Sequence, residues 1–367
     1  MKIVEARLYR QWQPFADGPY TCRGQTEEGF DSCIVALSAE DGTVGWGEAA
    51  PLGAFYAEAF PEAMAAGIQR LLPEVIGLSA TAPARLSDAL DEAMLGQPAV
   101  KSAIDMAAWD LASKRAGVSM ADFLGGLSDG PIHLYRSVSQ ADPATMAAKA
   151  KEFVARDYRR LQVKVGADPL EDVERIRAVR AAVPANVPLY ADANGGWLVE
   201  DALRFVDMTR DIDYRLEQPC MTHAENMQVA RRCAKPMVLD EGVSGFQDLL
   251  AAHQDGIVSG VTLKIARIGG VTRTCLIRDA AIALGLSVTI EDTGGSTINT
   301  AATAQLMAST PVRNRAHTVD FMNWVTVQNA QDMPQTRDGK LLIPDGPGLG
   351  VRVDPALLGE PVFWTEI

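Results

Sequence analysis

Apolar and polar positions alternate with a period of two at the start of the chain, MKIVEARLYRQ, and again over residues 32–38 and 44–47, which flank Asp41-Gly42. Asp-Gly between alternating runs is a strong hairpin signal, so this segment predicts an antiparallel meander. The period then lengthens. Between residues 101 and 116, Ile104, Ala107, Ala108 and Leu111 share one helical face, and Gly117 follows as a terminator. Strands followed by helices predict an α+β unit.

From about residue 132 to about residue 324 short β-rich runs alternate with amphipathic helices. The runs are IHLYRSV, RLQVKVG, VPLYADAN, YRLEQP, PMVLDEG, GVTLKIARIGG, LSVTIEDTGG and HTVDFMNW, eight candidate strands. After RLQVKVG, Asp168 as N-cap, Pro169 at the first helical position and Glu171 read as a capping box, with Val173, Ile176 and Val183 as the buried stripe. Eight βα units are what a TIM barrel requires. The expected fold is therefore α/β: a TIM (β/α) barrel over residues 131–325, an N-terminal α+β capping domain over 1–130, and a C-terminal segment, 326–367, returning to the cap. The GPGLG stretch at 346–350 opens no helix and reads as turn chemistry rather than a phosphate loop.

A length of 367 residues exceeds what one hydrophobic core usually organises, in keeping with a barrel plus a cap. With 47% hydrophobic and 22% charged residues, no apolar run long enough to cross a bilayer and no secretory pattern at the start, a soluble cytoplasmic protein is expected. Cys22, Cys33, Cys220, Cys233 and Cys275 are scattered and form no CxxC, which argues against a disulfide framework or a zinc knuckle. A formal charge of −13 without a basic cluster argues against nucleic acid and anionic membranes as partners.

The placement of charge within the strand runs is more informative. Lys164, Asp192, Glu217, Asp240 and Lys264 each occupy a different run, separated by 28, 25, 23 and 24 positions, about one βα unit apiece. Barrel strands end on one face, where catalytic groups of this fold gather, so the five side chains are expected to converge. Asp192, Glu217 and Asp240 form an oxygen-rich set suited to Mg²⁺. Lys164 and Lys264, costly inside apolar strands, are the candidate acid/base groups. A lysine base works best near pH 7 to 8, a shift of about 4 kcal/mol from its reference value. Together they predict abstraction of a proton next to a substrate carboxylate, with the metal stabilising the charge that develops. None of the four histidines forms an HxH or HxxxH pair.

These motifs, VKVG at Lys164, DAN at 192–194, EQP at 217–219, Asp240-Glu241 and LKIARIGG around Lys264, resemble those of the enolase superfamily, muconate lactonizing enzyme subgroup, over nearly the whole chain. The resemblance implies an α+β cap over a modified barrel. It also implies Mg²⁺ on Asp192, Glu217 and Asp240, Lys164 and Lys264 as acid/base pair, cap loops near Tyr20 and residues 53–56 closing over a small carboxylate substrate, and a homo-oligomer. The subgroup commonly has Lys-x-Lys where this chain has Gln162-Val163-Lys164. The RLQVK run is similar to that of cis-3-hydroxyproline dehydratases and hydroxyproline betaine epimerases, so dehydration of a 3-hydroxyproline-type amino acid is expected, with racemisation or epimerisation of proline betaines as the alternative. A quaternary ammonium calls for an aromatic cage; the seventh-strand loop, residues 291–295, offers none, and Tyr56 supplies only part of one. A secondary ammonium paired with Asp292 or Asp320 is favoured, with Thr293 on a ring hydroxyl and Gln162, Asn194 and Glu241 as further substrate contacts. The DxD of dipeptide epimerases is absent, since the chain reads Asp320-Phe321-Met322.

Overall fold

A computed structural model describes residues 1–56, 59–256 and 258–367. The predicted meander forms β1 (Ile3–Pro14), β2 (Gly29–Ala39) and β3 (Val44–Ala49), all antiparallel, and the C-terminal strand Phe363–Glu366 adds to the free edge of β1. The hairpin turns where Asp41-Gly42 predicts it: Gly42 has φ +82° and Ala39 N–H donates to Thr43 O at 2.9 Å. Helices α1 (Pro61–Val75), α2 (Pro83–Ala93) and α3 (Pro98–Ala116) cover the sheet. Helix α3 runs against β3, and a Cβ at Gly45 or Gly47 would collide with its backbone at Ala107 and Ala103, so glycine there permits the close approach. The helix ends as predicted, with Gly117 in the left-handed region.

The second unit is a parallel sheet of seven strands in sequential order: β4 (Arg136–Val138), β5 (Leu161–Lys164), β6 (Leu189–Asp192), β7 (Arg215–Glu217), β8 (Met237–Leu239), β9 (Val258–Lys264) and β10 (Ser287–Glu291). The sheet curls into a modified barrel. The eighth predicted run does not form a strand. Isolated bridges from Leu134 to Thr318 and from Val288 to Arg315 close the gap between β4 and β10, and the chain then turns into a 3-10 helix, Phe321–Asn323. Local bonds explain the turn, since Asn323 N–H and Nδ2 both donate to Asp320. The first run is also split, because Ile132–His133 pairs antiparallel with Lys340–Leu342 and only the remainder enters the barrel.

Local chemistry sets the helix after β5. Asp168 caps it, accepting from Leu170 N–H at 2.8 Å and Glu171 N–H at 3.2 Å, but Glu171 does not return the bond; its carboxylate pairs with Arg175. A full capping box appears instead at Thr222 and Glu225. The GPGLG turn packs on α3, where Leu349 N–H donates to buried Asp110. All five cysteines are free thiols, and among the described residues no helix is long and apolar enough to cross a membrane.

Candidate active site

Six consecutive strands deliver charge to one end of the barrel. Lys164, Asp192, Glu217, Lys264 and Glu291 are the last residues of β5, β6, β7, β9 and β10, and Asp240 follows β8 directly. Parallel register makes them neighbours: Lys164 is the cross-strand partner of Asp192, Asp192 of Glu217, and Lys264 of Glu291. All six are at most 4% exposed.

Lys164 donates to Asp192 Oδ2 at 2.5 Å and Asn194 Oδ1 at 3.0 Å, while Lys264 donates to Asp240 Oδ2 and Glu291 Oε1, each at 2.5 Å. Arg267 also pairs with Asp240. Glu217 takes neutral donors only, Gln162 Nε2 at 3.0 Å and Thr262 Oγ1 at 2.9 Å. Burial, then Asp192, Asp240 and Glu291, hold its carboxyl well above the usual range. Asp240 goes the other way: burial opposes its charge, but Arg267 and Lys264 outweigh it and hold it at about 2.

The lysines do not behave as sequence reasoning expects. Burial disfavours the Lys164 ammonium, yet Asp192, Tyr20 and Tyr56 outweigh it and hold the amine well above its ordinary value; Asp240 and Glu291 do the same for Lys264.

The donor set fits a hard cation: three buried carboxylates from consecutive βα units, one with no cationic partner within bonding distance, crowded enough to raise its pKa. Among the described residues no three such groups stand close enough together to hold a metal ion, and Lys164, Lys264 and Arg267 pair with the Asp192 and Asp240 oxygens.

A small cavity opens on this end. Its polar wall is Gln162, Lys164, Glu291, Asp292 and Thr293, and its aromatic wall is Tyr20, Phe30, Tyr56, Tyr135, Phe321 and Trp324. The aromatic surface is larger than the sequence suggests, because cap and barrel both contribute. Tyr56 lies over Lys264, 5.5 Å from ring centre to Nζ, with its hydroxyl 3.5 Å from Asp240 Oδ2. Asp292 lines the cavity but accepts from Ala266 N–H, Thr293 N–H and Asn299 Nδ2, and burial pushes it up to about 6. Thr293 donates its hydroxyl to Ala50 O at 2.7 Å.

Three expected substrate contacts lie outside the wall. Asn194 bridges Lys164 to Glu241, donating to Glu241 Oε1 at 2.9 Å, so both position the lysine. Asp320 is a correction: it is fully buried away from the cavity, where Tyr158, Asn323 and Thr336 all donate to its Oδ2.

Sequence reasoning missed Glu291, Arg267, Tyr135 and Gln218. Glu291 was legible, since it ends its strand 27 positions after Lys264 and continues the rhythm. Gln218 sits at φ +36° and its Oε1 accepts from Asp240 N–H and Gly242 N–H, fixing the loop that presents Asp240.

Residues 6–125 match the mandelate racemase/muconate lactonizing enzyme N-terminal domain, and residues 145–357 match the family described as enolase C-terminal domain-like. The chain is 37% identical over 363 residues, 99% of each chain, to a cis-3-hydroxy-L-proline dehydratase of Roseibium aggregatum. It is 30% identical to a hydrophobic dipeptide epimerase of Enterococcus faecalis, over 77% of this chain and 81% of that one. A mandelate racemase/muconate lactonizing enzyme of Roseovarius nubinhibens, crystallised with magnesium, superposes with a TM-score of 0.96 at 33% identity, covering all of both chains. With both halves matched and the strand-end charges in place, the chain belongs to the mandelate racemase/muconate lactonizing enzyme branch of the enolase superfamily and is an enzyme of lyase or isomerase type.

Proposed function

We propose that the chain dehydrates cis-3-hydroxy-L-proline or a similar amino acid, starting with removal of the proton α to the carboxylate. The observation that carries this reading is a pair of buried lysines, Lys164 and Lys264, at strand ends either side of the acids Asp192, Glu217 and Asp240, beneath a small cavity. The full-length similarity to a dehydratase supports the substrate class.

One lysine, as free amine, takes the α-proton. The C–H electron pair becomes a Cα=Cβ bond as the β-hydroxide leaves, and the second lysine, as ammonium, gives it a proton to form water. The resulting enamine tautomerises to a cyclic imine. Asp192, Glu217 and Asp240 would hold Mg²⁺, which when bound supplies Lewis-acid stabilisation of the substrate carboxylate as charge builds there. Asp292 Oδ2, with Asn299 as its one donor, keeps lone-pair capacity for a secondary ammonium. Thr293, its proton given to Ala50, has an oxygen left to accept from a ring hydroxyl.

A second reading, epimerisation of a proline betaine, is favoured by the six aromatic rings, because a quaternary ammonium is held by cation–π attraction. Incubation with Mg²⁺ in deuterated water separates the two. An imine reactive with o-aminobenzaldehyde from cis-3-hydroxy-L-proline supports dehydration, α-deuterium in recovered, inverted betaine supports epimerisation, and neither signal across a panel of proline derivatives rejects both. Chelation with EDTA is expected to abolish either signal and added Mg²⁺ to restore it.

A further inference from the structure

Lys264 differs from Lys164 in having a second carboxylate, and that carboxylate is itself held. Glu291 Oε1 accepts from Lys264 Nζ at 2.5 Å, and Glu291 Oε2 accepts from the Tyr135 hydroxyl at 2.6 Å. Both oxygens are thereby committed, so the carboxylate cannot rotate without breaking one buried bond, which costs the desolvation of the group left unpaired. Tyr135 is rigid in turn: it is 4% exposed, follows the short bridge at Leu134, and its ring lies 4.6 Å from that of His317, which packs on Tyr190 at 4.4 Å. The series His317, Tyr135, Glu291, Lys264 shares no hydrogen bond with the one that holds Lys164, which runs through Asp192, Asn194 and Glu241.

We propose that Tyr135 is a positioning residue for Lys264, and that it governs proton transfer on the Lys264 face of the substrate far more than on the other. The proposal rests on the reading that the two lysines serve as separate acid/base groups. Removing the Tyr135 hydroxyl frees Glu291 Oε2 and lets the carboxylate, and with it Lys264 Nζ, leave the place set by the barrel floor. A displacement near 1 Å of a group that must meet a specific proton costs up to about 100-fold in rate.

The test is Tyr135→Phe, which keeps the ring and its packing on His317. Proton exchange into L- and D-proline in deuterated water, with Mg²⁺ present, reports the two faces separately; Lys264→Ala identifies which enantiomer depends on Lys264. The expected result is a loss about 10- to 100-fold greater on the Lys264 face than on the other, giving a changed enantiomer ratio that general destabilisation or weaker substrate binding would not produce. Equal losses on both faces, or none on either, overturn the proposal. A crystal structure of the variant gives a readout independent of turnover: Glu291 and Lys264 in their original rotamers overturn the positioning role, whereas displaced rotamers support it. If the wild-type protein shows no exchange that depends on either lysine, the functional reading fails and the crystallographic result still decides the role of Tyr135.

Discussion

Gln162→Lys adds a positive charge two residues before Lys164, and its effect can be worked from the barrel. Gln162 and Lys164 share one face of β5, two residues apart, and a strand rise near 3.3 Å puts their Cα atoms roughly 6.6 Å apart. At that separation and an effective dielectric constant near 20, two unit positive charges repel by about 2.5 kcal/mol, close to 2 pH units. Gln162 Nε2 already donates to Glu217 Oε2 at 3.0 Å, so an ammonium there would pair with Glu217 and part of its field would be offset; about 1 unit is the expected net shift. The sign is fixed, because added positive charge disfavours the lysinium form and lowers the pKa of Lys164. The acid limb of kcat/KM, followed as α-proton exchange across pH, should therefore move to lower pH by about 1 unit, and it should move nearly as far at high salt because both groups are buried. An acid limb that stays in place, or moves upward, refutes the reasoning.

Lys164→Ala and Lys264→Ala should each lower turnover by about 10²- to 10⁴-fold in steady-state assays, the usual worth of a positioned acid or base. Glu48→Ala should destabilise the fold by at least about 3 kcal/mol in urea titrations. Glu48 is a fully buried cap residue that accepts from Gln13, Ser32, Ser296 and Asn299, tying β3 to the helix Thr297–Ala308. Asp105, buried on α3 against Thr272, is pushed up to about 6 by burial, so its contribution to stability is complete below about pH 4 and is lost as pH rises through 6. The melting temperature of the parent relative to Asp105→Asn should fall across that window in thermal scans, and a constant difference would contradict the assignment.

The strand-end charges were legible because a βα unit has a nearly fixed length, so a residue type recurring about every 25 positions is carried to the same end of successive strands. The hairpin at Asp41-Gly42 and the helix stop at Gly117 were legible for a related reason: each needs a backbone geometry that few residues adopt cheaply. The eighth run was not legible, since HTVDFMNW looks like its seven predecessors, and the bonds that turn it away from the sheet, from Asn323 back to Asp320 and from Met322 N–H to Thr300, leave no mark in its pattern. The aromatic wall was hidden for another reason. Tyr20, Phe30 and Tyr56 come from the cap and Tyr135, Phe321 and Trp324 from the barrel, and no local pattern says that they face one space.

The lysines mark the boundary most clearly. Sequence alone says that they lie in apolar strands, and burial alone would draw their pKa values down. Which sign wins depends on the carboxylates that stand close by: Asp192, one strand away in register, for Lys164, and Asp240 together with the in-register Glu291 for Lys264. A shift of one residue in that register would turn Asp192 and Glu291 to the other face of the sheet and remove part of what opposes burial. The composition of the site therefore follows from spacing along the chain, whereas the field that each amine feels is set by pairing between strands, so substitutions that change a partner, at Gln162, Tyr135 or Glu291, test the mechanism more sharply than deletion of the lysines themselves.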